Sequence, residues 1–309
     1  MSFQLSPLLR SRLVRLGGLF AAAAAIAGCG GSVVDRFEPA RIVSLGDEYS
    51  HLSPQGRKYT VNKAGDCNAN RIWNQQLVES YGFSFPECNP GGRTGSRLAV
   101  LKAAPEARTA DIAAQIDAVA NLGSTDMVLL LVGANDIWDA FRSGASAEAD
   151  VDAAAARVHA QVRRLVDLRS KVLVLTVPDQ GRTPAARALD ASSAGSSARL
   201  TALTERFNTR MRNLLNEPGS PTASGRNVGL VLAQGVVLEV QNNPNTYGIG
   251  NVDRGACPAS AQGLACEDTV ADGSYGRFLY ADDRYLSTYA NSRIASEAET
   301  RARNNPFSN

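Results

Sequence analysis

Four short stretches gather the residues of this chain that could do chemistry. Gly46-Asp47-Glu48-Tyr49-Ser50 follows the apolar run Ile42–Leu45, and Gly133-Ala134-Asn135-Asp136 follows Met127–Val132. Pro178-Asp179-Gln180-Gly181-Arg182-Thr183-Pro184 follows Val172–Val177, and Ala281-Asp282-Asp283-Arg284-Tyr285 lies near the carboxyl end. Carboxylates, an amide and a phenol are the materials of proton transfer. Glu48 and Asp282 could form a carboxylate pair of the kind that cleaves glycosidic bonds. The chain has only two histidines, His51 and His159, far apart in sequence. No cysteine pair has Cys-x-x-Cys spacing. No metal and no cofactor is therefore expected.

These stretches need elements to hold them. Met127–Val132 is a continuous apolar run, the pattern of a strand buried on both faces. Val172–Val177 and Val228–Leu232 repeat it. Between them the apolar period is helical. Residues 72–81, 110–121 and 151–168 fit helices. Leu200, Leu203, Phe207, Met211 and Leu214 mark another, and residues 284–303 the last. His159 falls beside the apolar stripe of the third, a boundary position. Residues 243–276, rich in Gly and Cys, read as a long loop or small insertion. Strands alternating with helices imply right-handed βαβ units and a parallel sheet covered on both faces. Ligands of such sheets bind beyond the carboxyl ends of the strands, where all but the last of the four stretches sit.

Taken together, these stretches resemble the sequence blocks of the GDSL, or SGNH, esterase/lipase family, and most closely its bacterial branch that includes autotransporter esterases. The family opens on Gly-Asp-Ser; here it is Gly46-Asp47-Glu48. Thr94-Gly95-Ser96-Arg97 is similar to its glycine loop, and Gly133-Ala134-Asn135-Asp136 matches its Gly-x-Asn-Asp. The Pro178–Pro184 stretch and Asn243-Pro244 to Tyr247-Gly248 match further blocks, and Asp282-Asp283-Arg284-Tyr285 stands at its Asp-x-x-His. The resemblance covers residues 41–295. It implies a three-layer α/β/α, flavodoxin-like domain over residues 41–303. It also implies ester hydrolysis by a serine, a histidine and an orienting aspartate, with an oxyanion held by a backbone N–H, a loop glycine and an asparagine. Gly95, Asn135 and the backbone N–H of Glu48 would supply those donors, and Asp282 would keep the orienting place.

Two departures decide the expected function. Glu48 stands where the family has its serine, and Tyr285 where it has its histidine; no histidine follows residue 159. In a serine hydrolase, losing either partner costs about 10⁶ in turnover. The expectation is a degenerate triad, Glu48, Tyr285 and Asp282, in a non-catalytic binding or structural protein. Glu48 would turn its carboxylate toward Asn135 and the Gly95 N–H, and Tyr285 would fill the space of the imidazole. The cleft would take an acyl, glycan or cell-envelope ligand. The competing expectation is an acylhydrolase using Glu48 with His51 or Asp282; His51 would face Glu48 if a helix starts there. Ser50, two residues on, would point about 200° away from Glu48.

The amino terminus adds a location. Arg10, Arg12 and Arg15 precede the apolar run Leu16–Gly28, which is too short to span a membrane as a helix. The run ends at Ile26-Ala27-Gly28-Cys29 and resembles a bacterial lipoprotein signal. That resemblance implies removal of residues 1–28, lipid on Cys29 and a linker over 29–40. Gly30 follows the cysteine instead of aspartate, which implies the outer membrane, facing the periplasm. Without those three arginines the chain carries 29 basic against 30 acidic residues, net −1. Nucleic acid is not an expected partner. Cys67, Cys88, Cys257 and Cys266 remain, and export favours disulfides. Three pairings are open; Cys67–Cys88 with Cys257–Cys266 is the simplest. Residues 304–309 read as a tail.

Overall fold

A computed structural model describes residues 36–309 except 90, 91, 93–96, 224, 226, 305, 306, 308 and 309. The lipoprotein signal, Cys29 and Gly95 lie outside the described residues. So do residues 30–35 of the expected linker and most of the expected tail.

Five parallel strands form the central sheet. They are β1 (Arg41–Gly46), β4 (Val100–Leu101), β5 (Asp126–Leu131), β6 (Lys171–Leu175) and β7 (Val228–Val231), in the order β4-β1-β5-β6-β7. Gly46 pairs with Leu131, Leu130 with Val174, and Leu175 with Val231, so the carboxyl ends share one edge. Every residue of β5 and of β6 is buried, as their unbroken apolar runs require. The short strands β2 (Phe83–Ser84) and β3 (Arg97–Leu98) pair with each other ahead of β4, and β8 (Asn251–Gly255) pairs with β9 (Phe278–Tyr280).

Helices α1 (Trp73–Ser80), α7 (Ala233–Asn242) and α8 (Thr288–Asn304) pack together as one layer. Helices α2 (Ile112–Asp117), α3 (Ala134–Ser143), α4 (Ala147–Asp167) and α6 (Ser196–Leu215) form the other, with α5 (Pro184–Asp190) against α6. The result is a three-layer α/β/α fold. Val151, Ala154, Ala155, Val158, Val162 and Leu165 are the buried stripe of α4. His159 lies beside that stripe, half-buried, with Nε2 3.3 Å from Thr222 Oγ1.

Some boundaries differ from the sequence reading. The last helix begins at Thr288 and not at 284, because Asp282 Oδ1 accepts the N–H groups of Arg284 and Tyr285 and turns the chain there. The 243–276 stretch contains β8. Phe37, within the expected linker, is buried and meets Phe307 edge-on at 5.9 Å. The chain is therefore already packed before β1. Two disulfides are present, Cys67–Cys88 and Cys257–Cys266, with Cα–Cα distances of 5.7 and 5.6 Å. Among the described residues no helix is long and apolar enough to cross a membrane.

Candidate active site

The site is built where β1 ends. Gly46 has φ +132°, and a Cβ there would sit 2.0 Å from the carbonyl oxygen of Leu131 on the neighbouring strand. Only glycine lets the two strand ends lie this close. The side chain of Gln115 on α2 holds that glycine from both sides, accepting from Gly46 N–H at 2.8 Å and donating to Gly46 O at 2.9 Å. Asp47 then caps a single 3₁₀ turn, Glu48–Ser50, by accepting the Tyr49 N–H at 3.1 Å. Glu48 is thereby delivered, 4% exposed, to the carboxyl edge of the sheet.

Both carboxylate oxygens of Glu48 are engaged. Oε2 accepts from Asn135 Nδ2 at 2.8 Å, and Oε1 accepts from the backbone N–H of Glu106 at 2.8 Å. Asn135 lies in the first turn of α3, two residues after Gly133. That glycine has φ +127°, and a Cβ on it would press into the ring of Phe207. The next residue, Asp136, clamps the loop that bears Glu106. It accepts from Thr109 N at 2.9 Å and Thr109 Oγ1 at 2.7 Å, and it pairs with Arg157. Asn135 adds a bond to Ala107 O at 3.1 Å. The Gly-x-Asn-Asp stretch thus supplies one donor and positions the other.

Glu106 was not singled out by the sequence. It follows β4, on the strand's carboxyl side, and has φ +60°, a conformation that non-glycine residues rarely adopt. By contrast, the described chain that follows Gly95 starts at the other end of the sheet. There Arg97 donates to Pro39 O at 3.0 Å, ahead of β1. Its side chain lies over the Phe83 ring.

Tyr285 is 8% exposed and stacks edge-on against Tyr59 at 4.7 Å and Tyr49 at 5.6 Å. Burial, with the Glu48 charge nearby, holds its phenol far above the ordinary tyrosine range. Tyr59, also in this stack, is pushed up to about 12 for the same reason. Both phenols are neutral at physiological pH. Asp282 is fully buried, and its oxygens are taken by three backbone N–H groups, from Arg284 and Tyr285 on Oδ1 and Gly263 on Oδ2. Burial raises its pKa, against the pull of those bonds. It holds a turn together and has no side-chain partner among the described residues.

His51 Nδ1 lies 2.8 Å from Ala103 O, and no ion pair joins His51 to Glu48 among the described residues. The 3₁₀ turn ends at Ser50, so the helical spacing that would align the two does not arise. Ser50 is buried beneath the turn, where its carbonyl accepts from Asn74 Nδ2 at 2.7 Å.

Three further residues close the site. Gln180, from the stretch after β6, accepts from Trp138 Nε1 at 3.0 Å and donates to Tyr49 Oη at 3.2 Å. The Arg284 guanidinium donates to Asn135 Oδ1 at 3.3 Å and lies over the Trp138 ring at 5.1 Å. Its positive charge acts on the neighbouring Asp47. Asp47 is fully buried with Oδ2 unpartnered among the described residues, and burial together with the Glu48 charge raises its pKa well above the ordinary aspartate value. Among the described residues no group of His, Cys, Asp and Glu is set to hold a metal ion.

The profile of the family described as GDSL-like lipase/acylhydrolase matches residues 32–298. The chain belongs to this family. A crystal structure of a GDSL-like lipase from Parabacteroides merdae is similar over 86% of this chain and 98% of its own, at 11% identity and a TM-score of 0.51. That likeness is one of fold. An acetylxylan esterase from Geobacillus stearothermophilus, solved as a catalytic mutant, aligns over 86% of this chain and 95% of its own, with 12% identity and a TM-score of 0.48. No curated protein sequence matches.

Proposed function

We propose that this GDSL-like chain is an envelope lipoprotein whose site no longer hydrolyses esters and which acts as a binding or structural protein. One observation carries the reading. The residue at the nucleophile position is a carboxylate, and it occupies Asn135 Nδ2, an expected oxyanion donor, together with the Glu106 N–H aimed at the same place. A tetrahedral oxyanion needs those donors free and aimed at the developing charge. Here an internal anion already takes them. The chemistry around it points the same way. Tyr285, at the histidine position, is a neutral phenol of raised pKa and a poor base at pH 7. Asp282 spends its hydrogen bonds on backbone N–H groups, those of Arg284 and Tyr285 in its own turn and that of Gly263. No contact favours the rival hydrolase built on Glu48 with His51 or Asp282.

In this reading the lipid on Cys29 holds the protein to the outer membrane, facing the periplasm. More than one acyl chain makes such an anchor stable, each buried methylene contributing about 0.8 kcal/mol. The partners are then the membrane and an acyl, glycan or other envelope ligand.

The test is aryl ester hydrolysis by the chain without residues 1–28. No turnover above buffer is expected from the parent chain or from Glu48→Ala. Glu48→Ser combined with Tyr285→His is expected to gain esterase activity, because it frees the donors and restores a nucleophile and base. Turnover by the parent that disappears in Glu48→Ala would overturn the proposal. Labelled palmitate incorporated into the parent chain and absent from Cys29→Ala tests the anchor.

A further inference from the structure

A second concavity lies away from the Glu48 site. It is an open depression of about 490 Å³, bounded by the turn at 54–57, the loop 62–67, the turn at 86–89 and Glu267. This is within the size range of small-ligand sites, roughly 300–1,000 Å³. None of the candidate site residues lines it. We propose that this depression binds a neutral oligosaccharide.

Its frame is rigid. Cys67–Cys88 ties the second segment to the third, and Cys257–Cys266 braces the chain beside Glu267. Asn62 donates to Lys58 O, Thr60 O and Cys266 O and accepts from Lys58 N. Arg57 joins Leu264 O and Glu267. Gly56 lies directly on the first disulfide; a Cβ there would come within 2.5 Å of Cys67 Cβ. A site fixed before binding loses less order on binding.

The lining selects the ligand. Among the described residues its apolar side chains, Pro54, Ala64, Pro86 and the disulfide-bonded Cys67, are small and interspersed with polar ones, a mixed face like that of a pyranose ring. Two cations, Arg57 and Lys63, face three carboxylates, Asp66, Glu87 and Glu267, so the depression favours no strongly charged ligand. The side chains of Gln55 and Lys63 make no hydrogen bond among the described residues, and both are exposed. Planar amides and carboxylates mixed with an ammonium offer acceptors and donors side by side. Neighbouring sugar hydroxyls present both in turn.

The test uses maltohexaose, xylohexaose and chitohexaose as probes, by calorimetry and saturation-transfer NMR on the purified chain. At least one is expected to bind. Removing one charged hydrogen-bonding group in Lys63→Ala should weaken it about tenfold. Ala64→Trp, at an exposed position, should abolish binding by filling the depression while leaving thermal unfolding unchanged. Absence of binding by all three hexasaccharides would overturn the proposal. So would binding that survives Ala64→Trp and Lys63→Ala but is lost in Asn135→Ala. Neither result bears on whether the Glu48 site hydrolyses esters, which the aryl ester assay reads separately.

Discussion

The carboxyl edge of the sheet and the disulfide-braced lobe are both rich in polar side chains, and they use them in opposite ways. At the sheet edge Glu48, Asn135, Gln180 and Asp282 are buried and spend their hydrogen bonds on one another and on the backbone. In the lobe Asn62 alone carries much of the internal wiring, and Gln55 and Lys63 face solvent over a cavity. A buried polar group without a partner costs about 1–3 kcal/mol, so the first region bonds most of its groups internally, Asp47 Oδ2, Ser50 Oγ and Arg284 Nε being exceptions among the described residues. The second is held by covalent cross-links and can leave groups outward. Mostly internal bonding suits a scaffold; outward groups suit recognition.

That contrast can be broken from the sheet side most severely. Gly46→Ala should cost more than about 4 kcal/mol, since the added Cβ meets backbone and the φ is unfavourable for alanine. Thermal unfolding of the variant, or its failure to accumulate folded, reads the effect; a Tm within a degree or two of the parent would show that the strand ends can separate. On the lobe side, replacing both Cys67 and Cys88 by alanine should cost roughly 3 kcal/mol, for a loop closed over 21 residues. Glu48 should keep both of its hydrogen bonds, because Asn135 and Glu106 lie outside that lobe. Denaturant titration measures the loss. Amide exchange should then localise the added opening to residues 54–67 and 86–89.

A smaller effect sharpens the account of the site. Glu48→Ala leaves the Asn135 amide and the Glu106 N–H without their acceptor, costing about 1–3 kcal/mol. Glu48→Gln keeps an acceptor for one of them and should cost less. Equal losses would mean that the carboxylate contributes nothing as an anion.

The smallest expected effect is on pH dependence. Asp47 has a raised pKa in the fold because burial and the neighbouring Glu48 disfavour its charge. Its neutral form is the one the fold prefers. Its contribution to stability is therefore full below the ordinary carboxyl range and falls as pH rises toward the raised value. Asp47→Asn cannot ionise and should flatten that part of the stability–pH curve, measured by urea unfolding across pH 4 to 8. An unchanged slope would assign the dependence to other groups, Asp282 first among them.

Much of this was legible in the amino-acid sequence, for identifiable reasons. The central strands were visible because burial on both faces leaves an unbroken apolar run, as in β5 and β6. The Glu48–Asn135 contact was legible through the family resemblance, because both residues follow strand ends that a parallel sheet brings to one edge. The second partner of Glu48 was not. A backbone N–H has no letter of its own, and Glu106 reads as an ordinary surface acid until its φ is known. The start of the last helix was missed for a related reason. Residues 284–287 have helical composition, yet the Asp282 side chain competes for the N–H groups a first helical turn would present. The depression was invisible because its wall joins segments some 200 residues apart, such as Arg57 and Glu267.

The backbone donor at Glu106 has a consequence for how such a site can change over time. Its aim is set by the clamp between Asp136 and Thr109 and by a left-handed turn, and the side chain at 106 points elsewhere, exposed. Substitutions at 106 can therefore accumulate while the donor persists. A chain that exchanged its serine for glutamate would keep a working anion cradle, and the exchange would stay reversible for as long as the clamp is intact.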